Sequence, residues 1–140
     1  MTTFVSKQYG RQMLGAVPDL WPQLCVALLT DAPTVVIGSL QIGGVELDKY
    51  GDYGYDRVPI PVYAWADPTG NAPASMLLDE DIVFAVATDP WPEVKWIALM
   101  PNDASTDALI ATELITPTVV ASGRQLRVAA GLLALRHLTL

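Results

Sequence analysis

The stretch of residues 81–100 constrains the fold more than any other part of the chain. In its first apolar run, residues 82–87, alternate side chains face opposite sides, and both sides are apolar. A period of two residues is typical of a β-strand, and two apolar faces predict a strand between two layers. A second apolar run, residues 94–100, follows a turn with two prolines around Trp91. We therefore expect a buried hairpin at the centre of an all-β domain.

Other apolar runs predict further strands separated by turn signals. Residues 23–30 read as a strand that is apolar on both faces, and residues 34–45 as an excursion or an added hairpin. In residues 55–65, Pro59 and Pro61 cannot donate to a ladder, so this strand lies at a sheet edge or is broken by a bulge. Residues 108–116, 124–130 and 132–140 complete the sheet. Such spacing predicts a single antiparallel β-sandwich, jelly-roll-like in architecture.

The amino-terminal residues depart from this β pattern. Val5, Tyr9, Met13 and Ala16 fall at helical spacing, which predicts a short α-helix over residues 4–17 that ends at Pro18. The length suits one domain over residues 1–140, with residues 1–20 as helix and connector. The apolar runs are too short for a membrane helix, and the amino terminus lacks a signal-peptide core. We expect a protein made in the cytoplasm with no membrane partner.

Composition favours association with other protein chains. Hydrophobic residues make up 51% of the sequence and charged residues 16%, against a usual ~25% charged. Exposed apolar area marks interfaces, so we expect a homo-oligomer or a subunit of a larger assembly. The net charge of −7 disfavours nucleic-acid binding. All fifteen acids precede residue 114, whereas Arg124, Arg127, Arg136 and His137 form a basic end. This asymmetry is suited to aligning one subunit against another, or against an acidic surface of a partner.

Catalytic and zinc-binding patterns are missing from the sequence. His137 is the single histidine and Cys25 the single cysteine, and no Gly-x-Ser-x-Gly occurs. A zinc site needs about four ligands, and an intrachain disulfide needs a second cysteine. We expect Cys25 to be a buried small hydrophobe and His137 to have a structural or surface role. We therefore expect neither enzymatic activity nor a cofactor.

An acidic, aromatic loop holds the remaining candidate residues. Its Asp48, Asp52 and Asp56, and a second cluster at residues 79–81, offer oxygen ligands without the spacing of a calcium loop, so we expect a solvated loop with no metal. The aromatic residues around this loop either form a surface for sugars or a protein partner, or they cap the sandwich or line a subunit contact. The candidate partner-contact residues are Tyr50, Tyr53, Tyr55, Tyr63, Trp65, Arg124, Arg127 and Arg136.

The order of several short segments along the chain is also informative. Residues 24–34 read Leu-Cys-Val-Ala-Leu-Leu-Thr-Asp-Ala-Pro-Thr, and Gly54-Tyr55-Asp56-Arg57 follows. Residues 82–87, then Trp91, Val94 and residues 96–99, and finally residues 109–114, 116–117, 119–120 and 129–132 continue the order. These segments resemble a family of small bacteriophage virion proteins described as tail-fibre or head-accessory proteins. The corresponding family segments are a strand ending in Leu-Phe-Thr-Ala-Ala-Pro-Thr and a Gly-Gly-Tyr-Ala-Arg motif. Residues 35–44 are an insertion, and residues 100–103 replace a glycine-bearing turn.

The resemblance implies an all-β sandwich with a leading helix, no enzymatic activity, no cofactor and a place in the virion. From it we derive the hypothesis of a capsid decoration (cement) protein, a homotrimer that bridges copies of the major capsid protein. A tail fibre usually needs extended length or repeats, and this chain has neither. The alternative is a tail or tail-fibre module that binds a receptor glycan through the residue 50–65 aromatics.

Overall fold

The structure, a computed structural model, describes residues 20–48, 51, 53–61 and 80–129, and the backbone of residues 74–77 and 134–137. In this part of the chain the regular elements are β-strands, and the predicted all-β class with antiparallel sheets is confirmed. The strands are β1 (Cys25–Leu29), β2 (Thr34–Val36), β3 (Ser39–Gln41), β4 (Val58–Pro59), β5 (Ala74–Leu77), β6 (Ile82–Val83), β7 (Val94–Met100), β8 (Asp107–Ala108), β9 (Ile110–Thr118), β10 (Arg127–Val128) and β11 (Ala134–His137). The helix predicted over residues 4–17 lies outside the described residues.

The chain divides into two compact units, each assembled from separate segments. One comprises Met1–Pro22, Pro61–Ile82 and Val128–Leu140, and the other comprises Gln23–Ile60 and Val83–Arg127. A single domain over residues 1–140 stays a prediction. Among the described residues, no helix has the length and apolar character that a membrane crossing requires.

Strand β1 lies inside the largest sheet, whose strand order is β4-β1-β7-β9. All five of its residues are buried. It pairs antiparallel with β7 from Cys25↔Met100 to Leu29↔Trp96, and with the short strand β4 on its other side. A strand that is covered on both faces and paired on both sides carries apolar residues without alternation. The strand predicted over residues 23–30, apolar on both faces, is therefore confirmed.

The outer strands of this sheet both contain proline. Pro59 lies in β4 and Pro117 in β9, and each is tolerated because an edge strand has one side without ladder partners. The predicted edge position of the strand at Pro59 is confirmed. Strand β9 was expected to stop before Pro117 but continues to Thr118. The register between β7 and β9 shifts between the pairs Val94↔Thr118 and Trp96↔Glu113, so Pro117 lies in an irregular stretch between two paired residues of β9.

Residues 34–41 form a separate hairpin. Strand β2 pairs with β3 from Thr34↔Gln41 to Val36↔Ser39, and β3 pairs on its other side with β8. Gly38 in the turn has a φ of 82°, in the left-handed region that favours glycine. Of the two interpretations left open for residues 34–45, the added hairpin is correct.

The predicted hairpin of residues 81–100 is wrong in its pairing. Strand β6 covers two residues and pairs with β10, whereas β7 pairs with β1 and β9. After β6 the chain runs alongside residues 123–126: Phe84 N donates to Leu126 O at 3.0 Å, and Gly123 N donates to Ala87 O at 2.7 Å. The longer apolar strand β1 offers β7 five matched residue pairs, which the short β6 cannot provide.

The expected burial of residues 82–87 on both faces is also wrong. Ile82, Phe84 and Ala87 are buried, whereas Val83 and Val86 are almost half exposed. One layer therefore covers this segment, and its other face is in contact with solvent.

A further strand pair lies near the carboxyl terminus. Strand β11 pairs antiparallel with β5 from Ala134↔Leu77 to His137↔Ala74. Strand β11 and its His137 fall within the strand predicted over residues 132–140. Strand β5 was not predicted, because four residues after a loop are too short a run to give a clear period.

Candidate functional site

A buried ion pair joins Glu46 to Arg57, which directly precedes β4. Arg57 Nε donates to Glu46 Oε2 at 2.8 Å, and Arg57 Nη2 donates to Glu46 Oε1 at 2.9 Å. The two side chains are 3% and 14% exposed for arginine and glutamate. Two parallel bonds form the planar fork that arginine makes with a carboxylate, so each charge is compensated inside the protein.

Tyr55 links this ion pair to strand β1. Its hydroxyl donates to Glu46 Oε2 at 2.9 Å and accepts a hydrogen bond from Leu28 N at 3.0 Å. Strand β4 reaches only Cys25 and Val26 of β1. The Tyr55 hydroxyl therefore satisfies a buried β1 amide beyond the point where β4 stops, and an amide without a partner there would be costly.

Protonation states in the network follow from this geometry. Burial, and then the negative charge of Glu46, raise the pKa of Tyr55 far above its usual range, so the hydroxyl keeps its proton. Burial disfavours the charge on Arg57, but the hydrogen bond and the charge of Glu46 outweigh this effect and raise the arginine pKa. The network therefore consists of a neutral phenol beside a charged guanidinium that is hydrogen-bonded to the Glu46 carboxylate.

The network extends to the turn after β7. Arg57 Nη1 donates to Asn102 O at 3.1 Å, and the Cys25 thiol donates to the same carbonyl at 3.1 Å. The side-chain oxygen of Asn102 accepts hydrogen bonds from two backbone N–H groups of the turn, those of Ala104 and Ser105. Cys25 is buried as predicted, and its thiol helps to fix this turn.

Aromatic rings cover one side of the network. The Tyr55 ring is stacked on Phe84 with centroids 6.2 Å apart, and it meets Trp91 edge to face at 5.8 Å. Trp91 Nε1 donates to Tyr53 O at 2.8 Å, so its polar group is satisfied although the ring is buried. Tyr55 is thus held by both its ring and its hydroxyl.

Gly54 allows the segment to enter this cluster. Its φ is 72°, and a Cβ at this position would lie 3.0 Å from both Val86 O and Thr88 Cγ2. Glycine is the residue that fits both the conformation and the space. In the Gly54-Tyr55-Asp56-Arg57 motif, Gly54 therefore allows the close backbone approach, Tyr55 adds an aromatic ring to the core, and Arg57 adds a buried cation.

These contacts make the network a structural anchor. Its polar atoms are paired with one another, and its rings fill the space beside them. Within the described part of the chain, no group of three or more His, Cys, Asp or Glu is placed to hold a metal ion. Asp48 and Asp56 are exposed, and Asp52 lies outside the described residues.

The structure separates the predicted partner-contact residues. Tyr55 is 2% exposed, so its expected place on a contact surface is wrong, because its hydroxyl is required by Leu28 and Glu46. Tyr53 is half-buried, and Arg124 and Arg127 are exposed. The side chains of the other four lie outside what the structure describes: Tyr50, Tyr63, Trp65 and Arg136, the last of which belongs to β11.

The exposed apolar side chains instead indicate a candidate contact surface on the hairpin of residues 34–41, which we call the arm. Val35 and Val36 are 76% and 45% exposed, and Ile37 in the turn is fully exposed. Ile115 and Val119, in and just after β9, are a second exposed apolar pair. Three consecutive large apolar residues exposed to solvent are unusual on a protein surface that binds no partner.

Sequence reasoning missed both the anchor and the arm. Glu46 gave no signal, since a lone glutamate after Gly-Gly-Val reads as surface. The arm did give one: Val-Val-Ile directly before a turn glycine lies at a hairpin tip, where the same chain rarely covers both faces.

The chain matches no protein-family model and no curated protein.

Proposed function

We propose that this chain is a structural protein of a bacteriophage virion that acts by binding other protein chains rather than by catalysis. The observation that carries the proposal is the exposed apolar tip of the arm, Val35, Val36 and Ile37. Contiguous apolar side chains in solvent mark interaction sites, because burying them against a partner removes their contact with water.

The arm is fastened at both ends, which favours a binding role. Before it, Thr30 N donates to Val45 O at 2.8 Å. Leu29 and Glu46 form a β-bridge, and the Arg57 fork holds Glu46 in place. An arm fixed at its base loses less conformational freedom when it binds than a loose loop would, so more of the contact energy contributes to affinity.

The resemblance to phage virion proteins gives this binding role its context. Its Gly54-Tyr55-Asp56-Arg57 motif contains two of the residues that anchor the arm. This supports a common scaffold, for which we propose a jelly-roll-like sandwich with a short amino-terminal helix. The position in the virion is carried over from the resemblance itself.

Within the virion we propose a place on the head. A decoration protein made in the host cytoplasm would assemble as a homotrimer and bridge neighbouring copies of the major capsid protein. Each contact is small, but several contacts from one trimer sum through multivalency. A β-scaffold with exposed apolar arms is suited to this role.

Quantitative mass spectrometry of purified virions of the phage that encodes the chain tests this proposal, with immunogold labelling to locate it. We expect a copy number comparable with that of the major capsid protein and gold particles over the head. A few copies at the tail tip would support the tail module instead. Virions without the chain would overturn the proposal.

A matched pair of variants tests the role of the arm in assembly. Ile37→Asp places a charge at the tip and should reduce the amount of the chain bound to virions. Thr116→Asp places the same charge at an exposed position of β9 and should leave binding unchanged. Equal binding by wild type and Ile37→Asp would remove the arm from the contact.

A further inference from the structure

We propose that the arm of one copy of this chain docks on an oppositely charged surface of a second copy. That surface consists of residues 83–87 and 123–127, which we call the ribbon. The inference rests on the proposed function in one respect, since both assign the arm to a protein contact. It adds the partner and the direction of docking.

The arm has an acidic base beneath its apolar tip. Asp107 of β8 lies opposite Gln41 of β3, and Gln41 in turn lies opposite Thr34 of β2. Asp31, three residues before β2, is also exposed. Residues 31–48 and 101–109 contain no lysine or arginine. A partner of the arm therefore meets apolar side chains with carboxylates at the rim.

The ribbon has the opposite charge and a matching apolar surface. Its two segments are joined by hydrogen bonds that place Phe84 beside Leu126 and Ala87 beside Gly123. Phe84 and Ala87 are buried, whereas the ribbon exposes Val83 and Val86 together with Arg124 and Arg127. Residues 83–87 and 123–127 contain no acid, and two acids, Asp81 and Asp89, each lie two residues outside the first segment.

Charge selects one of the three ways in which these surfaces can pair between copies. Arm on arm brings acidic rims together, and ribbon on ribbon brings arginines together. Arm on ribbon pairs opposite charges and buries the valine and isoleucine side chains of one copy's arm against the valines of the other copy's ribbon. This is a heterologous, head-to-tail contact, which closes into a ring when the rotation between copies allows it.

The contact should be weak and sensitive to salt. Few side chains are involved compared with the ~20–30 residues a side of a standard interface. Two chains of net charge −7 also repel each other at long range, so orientation by the local charges matters. Salt screens exposed charge pairs beyond about 8–10 Å.

Disulfide trapping tests the docking direction. Since Cys25 is the single cysteine and is buried, exposed cysteines can be introduced one at a time. Ile37→Cys and Val86→Cys variants are mixed and mildly oxidised, and crosslinked dimers are measured on a non-reducing gel. We expect dimers in the mixture and little dimer from either variant alone. Thr116→Cys mixed with Val86→Cys serves as the control and should not crosslink.

Three results would overturn the inference. Dimers from Ile37→Cys alone would show arm-on-arm contact, and equal crosslinking of the Thr116→Cys control would show non-specific collision. The third is the absence of crosslinked dimer from the mixture while circular dichroism shows folded protein. If the chain is nevertheless bound to virions, the proposed function is supported and the docking of the arm on the ribbon is contradicted.

Charge reversal tests the electrostatic part independently. Arg124→Glu should lower the association constant, measured by sedimentation, by about fivefold or more, the equivalent of about one surface ion pair. Adding Asp107→Arg on the same chain should restore association toward wild type. Further weakening by the second reversal, or no effect of the first, would contradict the pairing of rims.

Discussion

Arg57 is a charged side chain that the fold buries because its partners are fixed in advance. Glu46 is held by a β-bridge to Leu29 and by the Tyr55 hydroxyl, and the Asn102 carbonyl is held in a turn. The guanidinium therefore meets oriented acceptors in place of water. A buried pair of this kind is sensitive to loss of one partner, because the remaining charge has no water to solvate it.

We predict that Arg57→Gln lowers the free energy of unfolding by about 3–5 kcal/mol, since it leaves the Glu46 carboxylate buried without its cation. Urea denaturation in dilute solution measures this change. The same substitution at the exposed Arg124 should change stability by about 0.5 kcal/mol or less. Equal shifts of the two midpoints would mean that the ion pair does not stabilise the fold.

Tyr55 makes stability depend on alkaline pH. The folded protein holds the phenol proton to a higher pH than an unfolded chain, where tyrosine has a pKa of about 10. Stability from this group is present below that pH and is lost as pH rises above it, by up to about 1.4 kcal/mol per pH unit. Urea denaturation between pH 9 and pH 11 should show a shallower decline for Tyr55→Phe than for wild type. Parallel declines would contradict a proton held on Tyr55.

At the scale of elements, two turns separate the effect of conformation from the effect of space. Gly38 and Gly54 both have positive φ, but a Cβ on Gly38 meets no described atom within 4 Å, whereas one on Gly54 meets the Val86 carbonyl. We expect Gly38→Ala to cost about 1–2 kcal/mol for the left-handed conformation. Gly54→Ala should cost at least about 1 kcal/mol more, because the cluster is already close-packed. Thermal and urea unfolding measure both, and a Gly54→Ala cost no larger than that of Gly38→Ala would show that the cluster yields.

Strands could be predicted from the sequence better than their partners. Strand β1 was recognisable because its apolar residues have no polar alternation, and the turn at Gly123 because Ser-Gly marks it. The pairing of β7 with β1 was not, since backbone hydrogen bonds are alike for any two strands and the choice depends on residues about 70 positions away. The neighbouring run at residues 82–87 was a plausible partner only by proximity in sequence.

The candidate site likewise contains residues that can be recognised in the sequence and contacts that cannot. Tyr55 was noticed as an aromatic residue, but its burial depends on Glu46 and Leu28, which lie in other segments. In the sequence Arg57 stands out only as part of the family resemblance, because the acceptors of its hydrogen bonds, Glu46 and Asn102, come close to it only in the folded chain. Arg124 and Arg127, predicted as partner-contact residues, are exposed, and their role in a contact stays a prediction.

At the scale of the whole molecule, net charge and exposed apolar side chains act against each other. The charge of −7 at pH 7 keeps copies apart, and it disappears near the isoelectric point of about 4.4. We predict a solubility minimum near that pH, because repulsion no longer opposes contact between arms. Val35→Thr combined with Ile37→Thr should raise solubility there with little change in stability, as measured by light scattering and urea unfolding. An unchanged minimum would mean that other surfaces control aggregation.

The early position of strand β1 in the sequence has a consequence for folding during translation. Its five apolar residues are translated about 70 residues before β7, the strand that covers one of its edges from Cys25↔Met100 to Leu29↔Trp96. At 5–20 residues per second, the nascent chain holds this segment without its partner for about 4–15 s. Over that interval an unpaired apolar strand is a substrate for chaperones, and synthesis rate, as well as final stability, sets the yield of folded protein.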